Sequence, residues 1–192
     1  MQIRSTERGM ALVAALLLLL VLTMLGVGMF RSFGLQEHIA GNTRERQRAL
    51  HAALAGQAYA EWWLRSAGGA NAQAGIDCTA ITLSTTPEIC NAALATPGTL
   101  PWTNFVSYTP PNMNVVSTPG TMDAYAKSTG YYIQWVSGTY VAPNTSLNTY
   151  LVDASGYAGS TSTASIVESE FSVSVTYTAE KDRNINQDNG QR

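Results

Sequence analysis

The stretch that decides the fold is MALVAALLLLLVLTMLGVGMF, residues Met10–Phe30. It carries no charged side chain, and Thr23 is its only clearly polar residue. A helix of about 20 apolar residues, rising about 1.5 Å per residue, is long enough to cross the hydrocarbon core of a bilayer. The stretch therefore predicts a transmembrane helix over residues 10–30.

The residues alone leave three interpretations of this helix open. The first is a secretory signal cleaved at Gly26–Gly28, although the helix is longer than the apolar core of such a signal. An uncleaved membrane anchor is the second interpretation. The third is cleavage ahead of the helix, because Gly9 closes a short basic leader, with Arg4 and Arg8, directly before Met10. This junction resembles the type III (prepilin) signal, whose leader is removed on the cytoplasmic side while the helix stays on the mature protein.

The charges and the cysteines favour an exported distal part. The formal net charge is −2, so we expect no nucleic-acid partner. Arg4 and Arg8 precede the helix, which favours a cytoplasmic N-terminus under the positive-inside rule. Cys78 and Cys90 lie beyond the helix, at a spacing that fits neither a CxxC redox motif nor a zinc site. In an exported domain they are expected to form a disulfide, whereas in a cytosolic domain they would be free thiols.

The helical pattern continues over residues 31–66 and becomes amphipathic. Apolar residues four apart predict a stripe that packs on the distal domain, with polar residues on the opposite face. The stripe comprises Leu50, Leu54, Ala58 and Trp62, with Ala53, Ala60 and Leu64 alongside, and the polar face carries Glu45, Gln47, Arg48 and Glu61. Trp62 and Trp63 point about 100° apart on a helix, so one is expected in the core and the other outside. Gly68 and Gly69 are expected to end the helix.

Residues 67–180 are predicted to form a β-rich head, followed by a polar tail over residues 181–192. Prolines indicate loops from Gly68 to Gly130, with Phe105-Val106 as a short strand. Tyr131–Val136 and Tyr150–Val152 are predicted strands, and Ile166–Thr178 alternates apolar and polar residues with a period of two. A small antiparallel sheet with one apolar face needs a cover, which the long helix can supply. The predicted fold class is therefore α+β.

A long N-terminal helix on a small antiparallel sheet resembles the type IV pilins and pseudopilins. The N-terminal region is similar to that of PilX-type minor pilins, and the similarity lies in Arg8–Val13, the leucine-rich run to Gly26, Leu35–Asn42 and Arg44–Ala53. The resemblance implies cleavage of residues 1–9 between Gly9 and Met10 by prepilin peptidase, and N-methylation of Met10. It also implies that the protein is a minor component of a pilus, with other minor pilins and the major pilin as partners. Before assembly such a protein lies in inner-membrane lipid with its head in the periplasm, and it reaches the cell surface in the pilus.

One position departs from the major-pilin pattern. Major pilins have a glutamate at the fifth mature position, which is Ala14 in this chain. In the family that carboxylate pairs with the N-terminal amine of the preceding subunit, inside an apolar filament core. A subunit without it cannot bond to a subunit ahead, which suits a place at the tip, and the K-type tip pseudopilins of type II secretion lack it too. Low-frequency incorporation along the shaft remains the alternative.

The sequence predicts no catalytic residue, no cofactor and no metal site. The two histidines, His38 and His51, both fall on the long helix, so that a distal serine or cysteine nucleophile has no imidazole base. Glu168 and Glu170 share one strand face and are interpreted as a solvated face rather than an acid–base pair. Acidic and amide residues of the tail, Asp182, Asn184, Asn186 and Asp188, fit a solvated segment better than a calcium loop.

Three functions are consistent with these features of the sequence. The first is a PilX-like minor pilin that initiates or caps a type IV pilus and supports adhesion and twitching motility. The second is a tip pseudopilin of a type II secretion system, which follows from the same helix and the same junction. The third is a membrane-anchored adhesin or binding module that enters no filament. Cleavage at Gly9 separates the third from the other two.

Overall fold

The computed structural model describes residues 7–66, 75–79, 81–116, 123–142 and 144–176. One helix, α1 (Glu7–Arg65), is followed by four strands, β1 (Val106–Tyr108), β2 (Thr129–Ala142), β3 (Thr145–Tyr157) and β4 (Ala164–Thr176). The chain divides into two compact units, Met1–Arg44 and Glu45–Arg192. The second unit contains the end of α1 and the sheet, so that the predicted α+β architecture of a long helix packed on an antiparallel sheet is confirmed.

Helix α1 is continuous over 59 residues. It runs through the glycines that interrupt its sequence at positions 26, 28, 34 and 41 without a break. Its last turn is closed by the backbone N–H of Ser66, which donates to the carbonyl oxygens of Trp62 and Trp63 at 3.0 and 3.1 Å. Gly68 and Gly69, the predicted helix end, lie outside the described residues.

The sheet has the order β1-β2-β3-β4, and every neighbouring pair is antiparallel. Its strands extend beyond the predicted runs because a strand continues wherever its neighbour offers partners. Strand β2 continues past Val136 through a Ser-Gly-Thr segment to Ala142 and pairs with β3, with irregularities between Trp135 and Ser137 and between Tyr140 and Ala142. Strand β1 falls at the predicted Phe105-Val106 position, while residues 177 and 178 of the last predicted strand lie outside the described residues.

The core lies between the sheet and the second half of α1. Its largest fully buried side chains include Tyr131, Ile133, Tyr150, Val152 and Leu64. These strand residues share one side of the sheet, which we call the helix side, because they are cross-strand partners or alternate with them. The ring of Tyr59 on α1 stacks on Tyr108 of β1 with centroids 3.9 Å apart, so aromatic contact extends the core to the β1 edge.

The predicted packing stripe of α1 is wrong in its main row. Leu50, Leu54, Ala58 and Trp62 are all exposed. The helix is instead buried along a row of small residues that ends on Leu64, namely Ala49, Ala52, Ala53, Gly56 and Ala60. Small side chains let the helix backbone approach the sheet closely, and that approach outweighs the burial of larger side chains on the next face.

The predicted polar face of α1 is also wrong in part. Glu45, Arg48 and Glu61 are half-buried because they contact the head at the margins of the small-residue row. Gln47 alone of the four is exposed. The prediction for the tryptophan pair is confirmed, since Trp63 packs against the core and Trp62 is 60% exposed.

A disulfide joins Cys78 to Cys90, as predicted. Both cysteines are buried, and their segment runs along the free part of the β2 edge beyond β1. The Cys90 N–H donates to the Ile133 carbonyl, and the Trp135 N–H donates to the Cys90 carbonyl, each at 2.8 Å. The bridge therefore ties the loop between α1 and β1 to the sheet.

Candidate functional site

The processing junction predicted from sequence lies inside α1. The helix begins at Glu7, so Gly9 and Met10 have helical backbone, while Arg4 lies outside the described residues. No atom outside the local helix backbone lies within 4 Å of the position that a Cβ would take on Gly9. The Met10 side chain is 79% exposed. The junction is thus open on all sides that the structure describes.

The apolar half of α1 is uncovered in the chain itself. Leucine, valine and methionine side chains between Met10 and Met29 are exposed, and no part of the most apolar window is buried. The window has a mean hydropathy of 2.8, and α1 is the one described helix long and apolar enough to cross a membrane. Thr23, the polar residue of the segment, donates its hydroxyl to the Leu20 carbonyl at 2.8 Å. Lipid or other apolar helices can therefore cover the segment without leaving that hydroxyl unpaired.

Ala14 lies on this exposed apolar surface. The resemblance to pilins predicts that its methyl group stands where major pilins carry a carboxylate. The flanking residues from Met10 to Phe30 include no acid that could substitute for it. The segment from Met10 to Phe30 therefore offers no carboxylate acceptor for an ammonium group, and the predicted cleavage at Gly9 would leave the new N-terminal amine as its one charged group.

Close packing of α1 on β3 positions the head. Gly156 of β3 lies against Ala49, Ala52 and Ala53, and a Cβ on Gly156 would overlap their backbone atoms. Gly56 of the helix makes the reciprocal approach, since a Cβ there would lie 3.1 Å from the hydroxyl of Thr129. Sequence reasoning placed Ala53 and Ala60 beside the predicted stripe but missed Ala49, Ala52 and Gly56, although small residues recurring three or four apart were the visible signal.

Three hydrogen bonds between α1 and the head fix the margins of this packing. Arg48 donates to the Ala124 carbonyl, lies with its guanidinium 4.7 Å from the Tyr125 ring centroid and pairs with Glu45 at 2.8 Å. Glu45 in turn accepts the Gly159 N–H at 2.9 Å. Glu61, farther along the helix, accepts the Ser169 hydroxyl of β4 at 2.8 Å. These bonds hold the helix to both ends of the sheet.

A buried carboxyl group lies on the opposite side of the sheet, which we call the loop side. Asp153 of β3 lies between Tyr132 of β2 and Glu168 of β4 and is 2% exposed. Its Oδ1 has no hydrogen-bond partner. Burial, the charge of Glu168 and a hydrogen bond between the two carboxyl groups raise the pKa of Asp153 to about 6.

The sequence did not single out Asp153. Sequence reasoning considered Glu168 and Glu170 together and predicted a solvated strand face. Both side chains are exposed on the loop side of β4, as expected. Glu168 is instead coupled to Asp153 across the strands. Among the described residues no three His, Cys, Asp or Glu side chains come together as a metal site. The acidic residues of the tail, from Asp182 to Asp188, lie outside the described residues.

Comparison with known proteins finds a family likeness for most of α1. Residues 8–58 match the family model described as PilX N-terminal. The N-terminal segment is therefore similar to that of PilX-type minor pilins. The match includes Gly9, Met10 and Ala14, and it ends within α1, so that the sheet lies outside it. No curated protein and no solved structure matches this chain.

The likeness agrees with the geometry of the helix. An exposed apolar N-terminal helix is consistent with a membrane-anchored protein. The candidate site is therefore the exposed apolar surface of α1.

Proposed function

We propose that this chain is a minor pilin that helps to initiate assembly of, or caps, a type IV pilus, and so supports pilus-dependent adhesion and twitching motility. The observation that carries the proposal is the PilX N-terminal match over residues 8–58, which include the uncovered apolar part of α1. A helix of that kind is stable only against lipid or against other apolar helices, which are its two environments before and after assembly.

Processing is the first step of the proposed function. Prepilin peptidase cleaves between Gly9 and Met10, and the new amine on Met10 is methylated. The open surroundings of Gly9 support access by a peptidase, because no described side chain would have to move. The mature helix then begins with an apolar residue and one positive charge.

Location is the second step. The uncleaved chain spans the inner membrane with its head in the periplasm, and it later joins the major pilin and other minor pilins in the filament at the cell surface. The disulfide between Cys78 and Cys90 supports an oxidising compartment for the head.

Ala14 supports a place at the tip. An unpaired ammonium or carboxylate inside an apolar filament core would cost several kcal/mol, so paired charges favour stacking of one subunit on the next. This chain lacks the carboxylate and keeps the N-terminal amine. Its amine can pair with the glutamate of a subunit behind it, but it has no glutamate to pair with the amine of a subunit ahead. A subunit of this kind belongs where filament growth begins.

The deciding experiment is intact-mass and N-terminal analysis of the chain purified from membranes of its own host. Loss of residues 1–9 with a methylated Met10 is the expected result. An intact Met1 would contradict the pilin proposal and favour a membrane-anchored adhesin. Localisation of the processed chain on sheared pili, at tips or along shafts, then distinguishes the tip from the shaft, and its absence from pili favours the type II secretion pseudopilus.

The charge argument has its own test. Ala14→Glu supplies the missing acceptor, so this variant should be found along the filament shaft and in a larger amount per pilus than the wild-type chain. Ala15→Glu, which places the acid one position away on another face of the helix, is the matched control and should not do so. Equal distributions of the wild type and of Ala14→Glu would overturn the tip argument.

A further inference from the structure

A cavity lies on the loop side of the sheet, beside β1. Its volume of about 370 Å³ is at the lower end of the range of about 300–1,000 Å³ that small-molecule sites occupy. Its lining includes Gly130 of β2 and Ser155 of β3, which are cross-strand partners. The aromatic rings of Trp102, Phe105 and Tyr157 also line it. The cavity therefore suits a ligand built on a single six-membered ring.

The walls of this cavity are held in place by the head itself. A Cβ at Gly130 would lie 2.7 Å from the Phe105 ring, so the glycine allows that ring to rest directly on the sheet. The Trp102 ring meets the Phe105 ring edge-on, with centroids 6.5 Å apart. The Trp102 indole N–H donates to the Pro97 carbonyl at 3.1 Å. These contacts shape the cavity before any ligand arrives.

A positive charge stands at the cavity. Lys127 lines it and is exposed, with its amine 5.2 Å from the centroid of the Tyr157 ring. Between Arg65 and Lys181 it is the one basic residue of the sequence, and the same range holds seven acidic residues, namely Asp77, Glu88, Asp123, Asp153, Glu168, Glu170 and Glu180. Within the described part of the chain, Lys127 forms no ion pair and no acidic residue lines the cavity. A cation without a counter-charge in an acidic head favours an anionic ligand at this place.

Neutral hydroxyl groups from Ser107, Ser155 and Tyr157 also line the cavity. The Ser155 hydroxyl donates to the Gly130 carbonyl at 3.4 Å, which is long for such a bond. The hydroxyl groups of Ser107 and Tyr157 form no hydrogen bond with the described residues. Burial raises the pKa of Tyr157, so its hydroxyl stays a neutral donor at ordinary pH. The cavity thus offers hydrogen-bonding groups to a polar ligand.

These features together select among anions. A fatty acid would leave the buried hydroxyl of Ser155 against a hydrocarbon chain, and burial without a good partner is unfavourable. A phosphoryl group carries about two negative charges and would meet a single cation, Lys127. A sugar acid fits all three features, because its hydroxyl groups match the serines, its C–H face matches the aromatic rings and its carboxylate matches the lysine.

We propose that this cavity binds an acidic sugar, a pyranose ring that carries a carboxylate, with the carboxylate beside Lys127 and the ring against Phe105 and Tyr157. The site belongs to the head alone, so it does not depend on whether the chain enters a filament.

The test is a titration of the full chain with sodium glucuronate, in a detergent without a sugar headgroup, followed by NMR of the backbone amides. Glucose shares the ring of glucuronate, and acetate shares its carboxylate. Glucuronate should shift the amide signals of Lys127, Gly130 and Ser155 and bind several-fold more tightly than either. Absence of these shifts would overturn the proposal. Equal binding of acetate would show a site for any small anion, and equal binding of glucose would show that Lys127 selects nothing, and either result would also overturn it.

Two charge variants separate a local effect from the overall charge. An exposed ion pair contributes a factor of about three to five, so Lys127→Gln should weaken glucuronate by that factor and leave glucose unchanged. Arg65→Gln is the matched control, because Arg65 also lies over an aromatic ring, 4.8 Å from the Phe171 centroid, on the helix side of the sheet. It should change neither affinity. Equal glucuronate affinities of Lys127→Gln and the wild type, or an equal loss in Arg65→Gln, would contradict the proposed site.

Discussion

Gly156 of β3 lies so close to Ala53 of α1 that a Cβ on the glycine would overlap the backbone nitrogen of the alanine. The same Cβ would overlap the carbonyl oxygen of Ala49. Since these are backbone atoms of a helix, neither can move without shifting the whole element. The separation between helix and sheet is therefore set by a glycine on one side and by a row of alanines on the other.

Gly156→Ala should lower the free energy of unfolding of the head by about 2 kcal/mol, because overpacking against a rigid backbone costs roughly 1–3 kcal/mol. Chemical denaturation of the full chain in detergent micelles, followed by near-UV circular dichroism, measures the change. Gly98→Ala is the matched control, since no atom lies within 4 Å of its Cβ position, and it should change stability by less than about 0.5 kcal/mol. Equal stability of the two variants would contradict the close-packing argument.

Arg48→Ala should destabilise the head by about 2 kcal/mol, because it removes a charged donor to a backbone carbonyl and the ion pair with Glu45. The same denaturation measurement applies. Arg46→Ala, two residues away on an exposed position, is expected to leave stability nearly unchanged. If both substitutions had the same small effect, the margin contacts would contribute nothing to docking of the helix.

Asp153 should make the head less stable as the pH rises. In the unfolded chain its carboxyl group ionises near the ordinary pKa of 3.8, and in the folded chain near 6. The folded chain therefore holds the proton more tightly between these values, so the free energy of unfolding falls as pH rises through this window and levels off above it. At about 1.4 kcal/mol per pKa unit, the loss is on the order of 2–3 kcal/mol.

Asp153→Asn removes this titration, so the variant should show a smaller decrease in stability between about pH 4 and 7 than the wild type does. Urea denaturation at a series of pH values gives both curves. Glu170→Gln, an exposed acid on the same side of the sheet, is the control and should keep the wild-type slope. A wild-type slope in Asp153→Asn would mean that another group carries the pH dependence.

Removal of the disulfide by Cys78→Ala with Cys90→Ala should cost about 3 kcal/mol, as expected for a bridge that spans 12 residues. The loss should be largest near β2, because the backbone of Cys90 pairs with Ile133 and Trp135. Hydrogen exchange at the Trp135 amide should therefore accelerate more than exchange at Val152 in the strand beyond. Uniform acceleration in both strands would show that the bridge acts through global stability alone.

Much of the architecture was predictable because it follows from local chemistry. The uncharged run from Met10 to Phe30 requires a helix in an apolar environment, whatever the rest of the chain does. The alternation of apolar and polar residues from Ile166 onward requires a half-buried strand, and the apolar pair Phe105-Val106 predicted the first strand. The two cysteines of the chain allow one intramolecular pairing, and it is present.

Only the tertiary structure decided which face of α1 is buried, how far β2 extends and which carboxyl group lies in the interior. Leu50 and Leu54 are more hydrophobic than Ala49 and Ala53, yet the alanines face the sheet, because Gly156 stands opposite them and permits contact between backbones. Likewise the burial of Asp153 cannot be inferred from its own strand, because it depends on Tyr132 and Glu168 of the neighbouring strands. Periodicity along one segment determines its own conformation, whereas burial depends on the partner that a distant segment supplies.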